Sequence, residues 1–110
     1  MKVHLVRKET ITDYVKTNAR SKSSLDDWQA VVKAADWEKP DDIKATFNSA
    51  DLLGNGTNRV VFDIAGNNYR MICAYAFGER MVHLFIKWIG THAEYDKLNA
   101  KNEQYTVEMF

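Results

Sequence analysis

Arg59, Arg70, His83, Lys87, His92 and Tyr95 are the residues of this 110-residue chain that could act together on a phosphodiester. Arginine offers a planar fork for two phosphate oxygens. Lys87 can balance charge on a pentacovalent transition state. His92 or Tyr95 can move protons between a ribose 2′-hydroxyl and a leaving oxygen. That chemistry needs no metal or cofactor, and the residues suggest neither. Cys73 is the single cysteine, and His4, His83 and His92 lack ligand spacing. Gly54-Asn55-Gly56 lacks the lysine and the following helix of a phosphate loop. Cys73 falls among core-facing positions and reads as an inert thiol.

The elements that must position these side chains follow from periodicity. Three stretches alternate: Arg59–Ala65, Tyr69–Phe77 and Met81–Ile89, with Gly90 ending the last. Gly66-Asn67 joins the first two as a hairpin, because both residues tolerate positive φ. One face takes Val60, Phe62 and Ile64, then Met71 and Cys73, then Val82, Leu84, Ile86 and Trp88. The other takes Arg59, Asp63, Arg70, His83 and Lys87. Thr91-His92-Ala93-Glu94 is a capping box opening a short helix through Leu98. His92 and Tyr95, three apart, share a face of it at the rim of the last strand. The same cations would also suit a plainly solvated sheet face.

The N-terminal half supplies the cover. Lys2–Val6 reads as a strand. A helix follows from Thr10, with Thr10 or Thr12 as its cap, and ends at the polar run 19–24. Ser24-Leu25-Asp26-Asp27 resembles a capping box before a stripe of Leu25, Trp28, Val31, Val32 and Ala35. Trp28, Val31 and Val32 are therefore expected in the core. Pro40 opens a third helix with Ile43 and Phe47 on one face. Residues 48–58 read as a loop, and Tyr105–Phe110 as a frayed end or a last strand. The expected class is α+β: an N-terminal strand and helices packed on one face of a mostly antiparallel sheet, within one domain over residues 1–110.

Fifteen Lys and Arg against fifteen Asp and Glu leave no net charge, so no global field announces a polyanion partner. Between Arg59 and His92, four basic residues meet two acidic ones, so any basic face is local. No run approaches the roughly 20 apolar residues of a membrane span, and the N-terminus does not read as a signal peptide. These features predict a cytoplasmic protein that does not engage a membrane.

Residues Arg59 to Ile72 carry V-F-D-I-A-G-N-N-Y-R, and residues Ile89 to Leu98 carry G-T-H-A-E-Y-D. The two stretches strongly resemble the HigB-type toxins of the RelE superfamily, whose pattern is V-F-[DN]-I-x-G-N-x-Y-R with a closing G-T-H-x-E-Y-D. The resemblance implies a RelE-like toxin fold and a type II toxin–antitoxin mRNA interferase. Such an enzyme cuts message in the ribosomal A site, without a metal, by attack of the 2′-hydroxyl. It further implies a helix-turn-helix antitoxin of the HigA kind, and contact with operator DNA only through that antitoxin. By the same resemblance Arg70 matches a phosphate-binding arginine, Lys87 a basic position often held by Arg, and His92 and Tyr95 a catalytic or RNA-stacking group. Arg59, and with it His83, joins the RNA-binding set through the shared outer face. A non-cleaving toxin-fold module, acting only through antitoxin and operator, fits the same residues.

Overall fold

Alternating strands need a partner for each apolar face, and here a five-stranded sheet in the order β1-β5-β4-β3-β2 has one on both sides. The computed structural model describes residues 1–110. In chain order the elements are β1 (Lys2–Val6), α1 (Glu9–Thr17), a 3₁₀ turn (Ala19–Ser21), α2 (Lys22–Ala34) and α3 (Pro40–Thr46). Then come β2 (Asp51–Leu52), β3 (Arg59–Ile64), β4 (Tyr69–Phe77), β5 (Met81–Thr91), α4 (His92–Ala100) and a second 3₁₀ turn (Glu103–Tyr105). β1 lies parallel to β5, and the other pairings are antiparallel. The α+β class expected from the sequence is the one observed.

On one face Val60, Phe62, Ile64, Met71, Cys73, Val82, Leu84 and Ile86 meet Ile11 of α1, Leu25, Trp28 and Val32 of α2, and Ile43 of α3. Trp28 contacts Phe62 edge-on at 5.3 Å between ring centroids, and Phe47 contacts Phe62 at 4.9 Å. Aromatic pairs in this geometry add to the stability that burial supplies. Val31 is not part of this core. It is 41% exposed, because the stripe that packs on the sheet is narrower than the apolar run in the sequence. α2 also begins earlier than Ser24. The 3₁₀ turn runs straight into it, so its N-cap is Ser21 and the 24–27 capping box does not form. α1 likewise starts at Glu9, one residue before the expected threonine cap.

Three further departures shape the second face. Asp51 and Leu52 pair with Val61 and Val60, so the expected loop contains a short edge strand. β5 runs through Gly90 to Thr91 instead of stopping at Gly90. It also carries a bulge: Ile72 pairs with Trp88 and Cys73 with Ile86, which leaves Lys87 as an extra residue. Trp88 therefore lies on the face opposite Ile86, and Ile89 lies with the main core. Strict alternation puts Trp88 with Ile86 and Ile89 with His83 and Lys87, so it assigns both Trp88 and Ile89 to the wrong sides. On this second face Leu53, Val61, Ile72, Trp88 and Tyr95 form a smaller core, capped by Leu98, Tyr105 and Val107. The C-terminal tail thus crosses the sheet, fastened by the Met109 amide donating to the Lys87 carbonyl at 2.8 Å.

Candidate active site

The β3–β4 hairpin places Asp63 directly opposite Arg70, and β5 places Gly90 on the other side of Arg70. Arg70 is held from three directions. Its Nε lies 2.9 Å from Asp63 Oδ1. Asn67 Oδ1 accepts from the same Nε at 3.0 Å and from Nη2 at 2.6 Å. The Tyr95 ring lies under the guanidinium, 5.2 Å from its carbon to the ring centroid. Asn67 reaches its position through a turn in which Ala65, Gly66 and Asn67 all have positive φ, at 56°, 58° and 87°. Such backbone is unfavourable for alanine and tolerable for asparagine.

Tyr95 is positioned by α4. Thr91 Oγ1 accepts from the Glu94 amide at 3.2 Å, and Glu94 Oε1 accepts from the Thr91 amide at 2.8 Å, forming the predicted capping box. The Trp88 indole packs 6.1 Å from the Tyr95 ring. A side chain at Gly90 would meet that indole at 2.4 Å, so the glycine is what lets Trp88 lie across the strand. Tyr95 is only 7% exposed, deeper than a rim position. Burial, with the negative charge of Asp51, raises its phenol pKa against the opposing pull of Arg70. Its hydroxyl therefore stays protonated at neutral pH.

His92 opens α4, and its backbone amide donates to the Asn68 carbonyl at 3.0 Å, tying the helix to the hairpin turn. Its Nε2 lies 3.5 Å from Asp96 Oδ2, while Nδ1 is buried without a partner. Asn68 and Thr91 also line a cleft of about 310 Å³, together with Arg20, Ala65 and Tyr69.

The remaining sequence candidates lie elsewhere. Arg59 shares the face, four positions along β4 from Arg70, about 13 Å away at strand spacing. It is not open to RNA as the sequence suggested, because the tail covers it to 6% exposure. Its Nη1 donates to the Val107 carbonyl at 2.7 Å, and its Nη2 meets Glu108 Oε1 at 3.0 Å. Lys87 Nζ meets the other Glu108 oxygen at 3.0 Å. One carboxylate thus bridges both cations. Lys87 first, and Arg59 with it, holds the Glu108 carboxyl below its ordinary range. His83 pairs with Ala76, six positions from Arg70 and about 20 Å away, where it stacks edge-on with His4. Arg70 and Tyr95 therefore meet at one end of the face, with His92 at the start of α4 beside the hairpin turn. Lys87 and Arg59 form a second basic point, and His83 belongs to neither.

Sequence reasoning missed the acceptors that hold these cations. Asp63 and Asn67 stood in the hairpin motif, yet only the register and the turn show that both reach Arg70. Glu108 gave no signal in a tail without periodicity. Cys73 is buried, and that burial pushes its thiol pKa far up, in keeping with an inert core residue. No cluster of three or more His, Cys, Asp or Glu side chains is arranged to hold a metal ion. No helix is long and apolar enough to cross a membrane.

Comparison with known proteins covers both the hairpin and the start of α4. Residues 21–98 match the HigB toxin family model, described as the RelE-like toxic component of a toxin–antitoxin system. The chain is 28% identical over 96 residues to the mRNA interferase HigB of Escherichia coli O6:H1, covering 87% of this chain and 91% of that protein. It is 26% identical over 98 residues to the mRNA interferase toxin HigB of Escherichia coli K12, covering 89% and 92%. The mRNA interferase HigB of Shigella flexneri matches at the same 26%.

Proposed function

The chain belongs to the HigB toxin family, and from that premise we propose that it is an endoribonuclease toxin that cuts ribosome-bound messenger RNA in the cytoplasm by metal-independent attack of the ribose 2′-hydroxyl. The observation that carries the reading is the Arg70 guanidinium, held by Asp63 and Asn67 over the Tyr95 ring beside the start of α4.

In the proposed reaction the 2′-oxygen attacks phosphorus and the bond from phosphorus to the 5′-oxygen breaks. The products are a cyclic phosphate and a 5′-hydroxyl. Arg70 binds the non-bridging oxygens and stabilises the charge that grows on them. Tyr95, whose ring lies under the Arg70 guanidinium, supplies the proton to the leaving oxygen. His92 accepts the proton of the 2′-hydroxyl. Lys87 adds positive charge from the second basic point once Glu108 yields to a phosphate.

The partner in this reading is a helix-turn-helix antitoxin of the HigA kind, through which alone the toxin meets operator DNA. We place its contact on the helical side, around Arg20, Lys22, Lys33 and Asp36, where it blocks A-site entry by bulk. The second reading is a non-cleaving module that acts only through this complex. The Glu108 bridge favours it, because that bridge already occupies two of the cations expected to bind RNA.

Growth arrest and message cleavage by Arg70→Ala decide between the readings, with folding checked by circular dichroism. One lost charge-stabilising donor should cut cleavage on the order of a hundredfold or more. A folded Arg70→Ala protein with full toxicity would overturn the enzymatic reading.

A further inference from the structure

We propose that Asn67 is a positioning residue that presents one particular edge of Arg70 to the scissile phosphodiester. The inference rests on the reading of Arg70 as the phosphate ligand. A guanidinium has five N–H donors arranged along three edges. Here the Nε side is committed: Nε faces both Asp63 Oδ1 and Asn67 Oδ1, and one Nη2 hydrogen goes to the same Asn67 oxygen. Tyr95 supports the face of the group. What remains is the end-on edge, with one Nη1 hydrogen and the second Nη2 hydrogen side by side, and the other Nη1 hydrogen on the third edge. The end-on edge is a fork matched to two oxygens of one phosphate.

The chemistry of the two acceptors differs in a way that suits this task. Asp63 already offsets the arginine charge across the β3–β4 pair. A second carboxylate at position 67 would place two negative groups around the guanidinium and repel an incoming phosphate. The amide oxygen of Asn67 aims the group without adding charge. A left-handed turn residue alone would account for an asparagine here. It would not account for an amide that takes two N–H groups of the same arginine three residues on, out of a turn that also forces Ala65 to φ 56°.

The test compares Asn67→Gly, Asn67→Asp and Arg70→Ala in single-turnover cleavage of message on programmed ribosomes, with toxin in excess. Glycine keeps the turn and removes the amide. Its saturating rate should fall on the order of tenfold to a hundredfold, as for a misaligned reacting group, with little change in the toxin concentration giving half the maximal rate. Aspartate keeps an acceptor. It should recover most of the saturating rate while raising the half-saturating concentration several-fold. Joined to Arg70→Ala, Asn67→Gly should cause no further loss, because it acts through that arginine. A wild-type rate for Asn67→Gly would overturn the inference, as would an equal loss in the Arg70→Ala background. If Arg70→Ala itself cleaves like the wild type, the reading of the site fails and the inference falls with it. That result is distinct from one in which only the Asn67 variants are silent.

Discussion

The two faces of the sheet are built to different standards. The helix-side core joins 18 buried residues from β1, β3, β4, β5, three helices and the segments flanking α3, while the opposite core joins five between the sheet, α4 and the tail. On the helix side no charged residue enters the buried cluster. On the other side Arg59 is buried with its carbonyl and carboxylate partners, and Arg70 sits half-buried among Asp63, Asn67 and Tyr95. Stability is concentrated where the interior is apolar and continuous. The proposed site lies where charged groups are fixed by a few neighbours.

Substitutions that act on one face alone would sharpen this contrast. The largest effect is expected from Trp28→Ala, which removes the indole between Phe47 and Phe62 and should lower stability by about 3–5 kcal/mol. A denaturant melt gives the value directly. An unchanged midpoint would mean that the helix-side core does not hold the fold. Tyr95→Phe acts on the other face. It keeps the ring under Arg70 and loses only the hydroxyl, so cleavage should fall about a hundredfold with the melt nearly unchanged. A variant that cleaves at the wild-type rate would remove Tyr95 from proton transfer.

A smaller effect is expected at the tail. Glu108 is more than half exposed, so solvent and salt weaken its two ion pairs. Its carboxyl lies below the ordinary value of 4.5, held there chiefly by Lys87. The bridge is therefore complete above about 4.5 and is lost as pH falls through the lower value of the folded state. The Met109 amide should then lose its protection from hydrogen exchange in that acidic window. Glu108→Gln should weaken the protection at neutral pH and abolish its pH dependence. The same variant should bind an RNA oligonucleotide more tightly, since Lys87 is released. Equal affinity would mean that the bridge does not compete with phosphate. The smallest effect belongs to Val31→Ser, which should shift stability by less than about 0.5 kcal/mol, because its side chain packs against little. A larger loss on melting would mean that the packed stripe of α2 extends to Val31.

What could be read in the residues follows from this division. Period-two alternation through β3 and β4, the Gly66-Asn67 turn and the Thr91–Glu94 capping box are local patterns, and each is present in the structure. Arg70 and Tyr95 meet because those patterns fix their placement over short distances. The errors arose where distant segments decide. The parity of Trp88 and Ile89 depends on a bulge that exists only against β4. The burial of Arg59 depends on residues 45 to 49 positions later in the chain. β2 is two residues long, too short for any period to declare itself. The contact of Asn67 with Arg70 was hidden for a different reason. Asparagine fits a turn so well that a second use had no separate signature.

The bulge in β5 has a consequence best stated as an edit to the chain. Ile86 and Trp88 stand opposite Cys73 and Ile72, which are themselves adjacent in β4. Were Lys87 deleted, Ile86 and Trp88 would become neighbours with no other side chain changing faces, and the ladder would close into plain alternation. Lys87 is in that sense an inserted residue. It adds a cation to the tail-side face in a slot that strand geometry does not require, so the lysine can be removed whole while Trp88, Gly90 and the helix beyond them keep their phase.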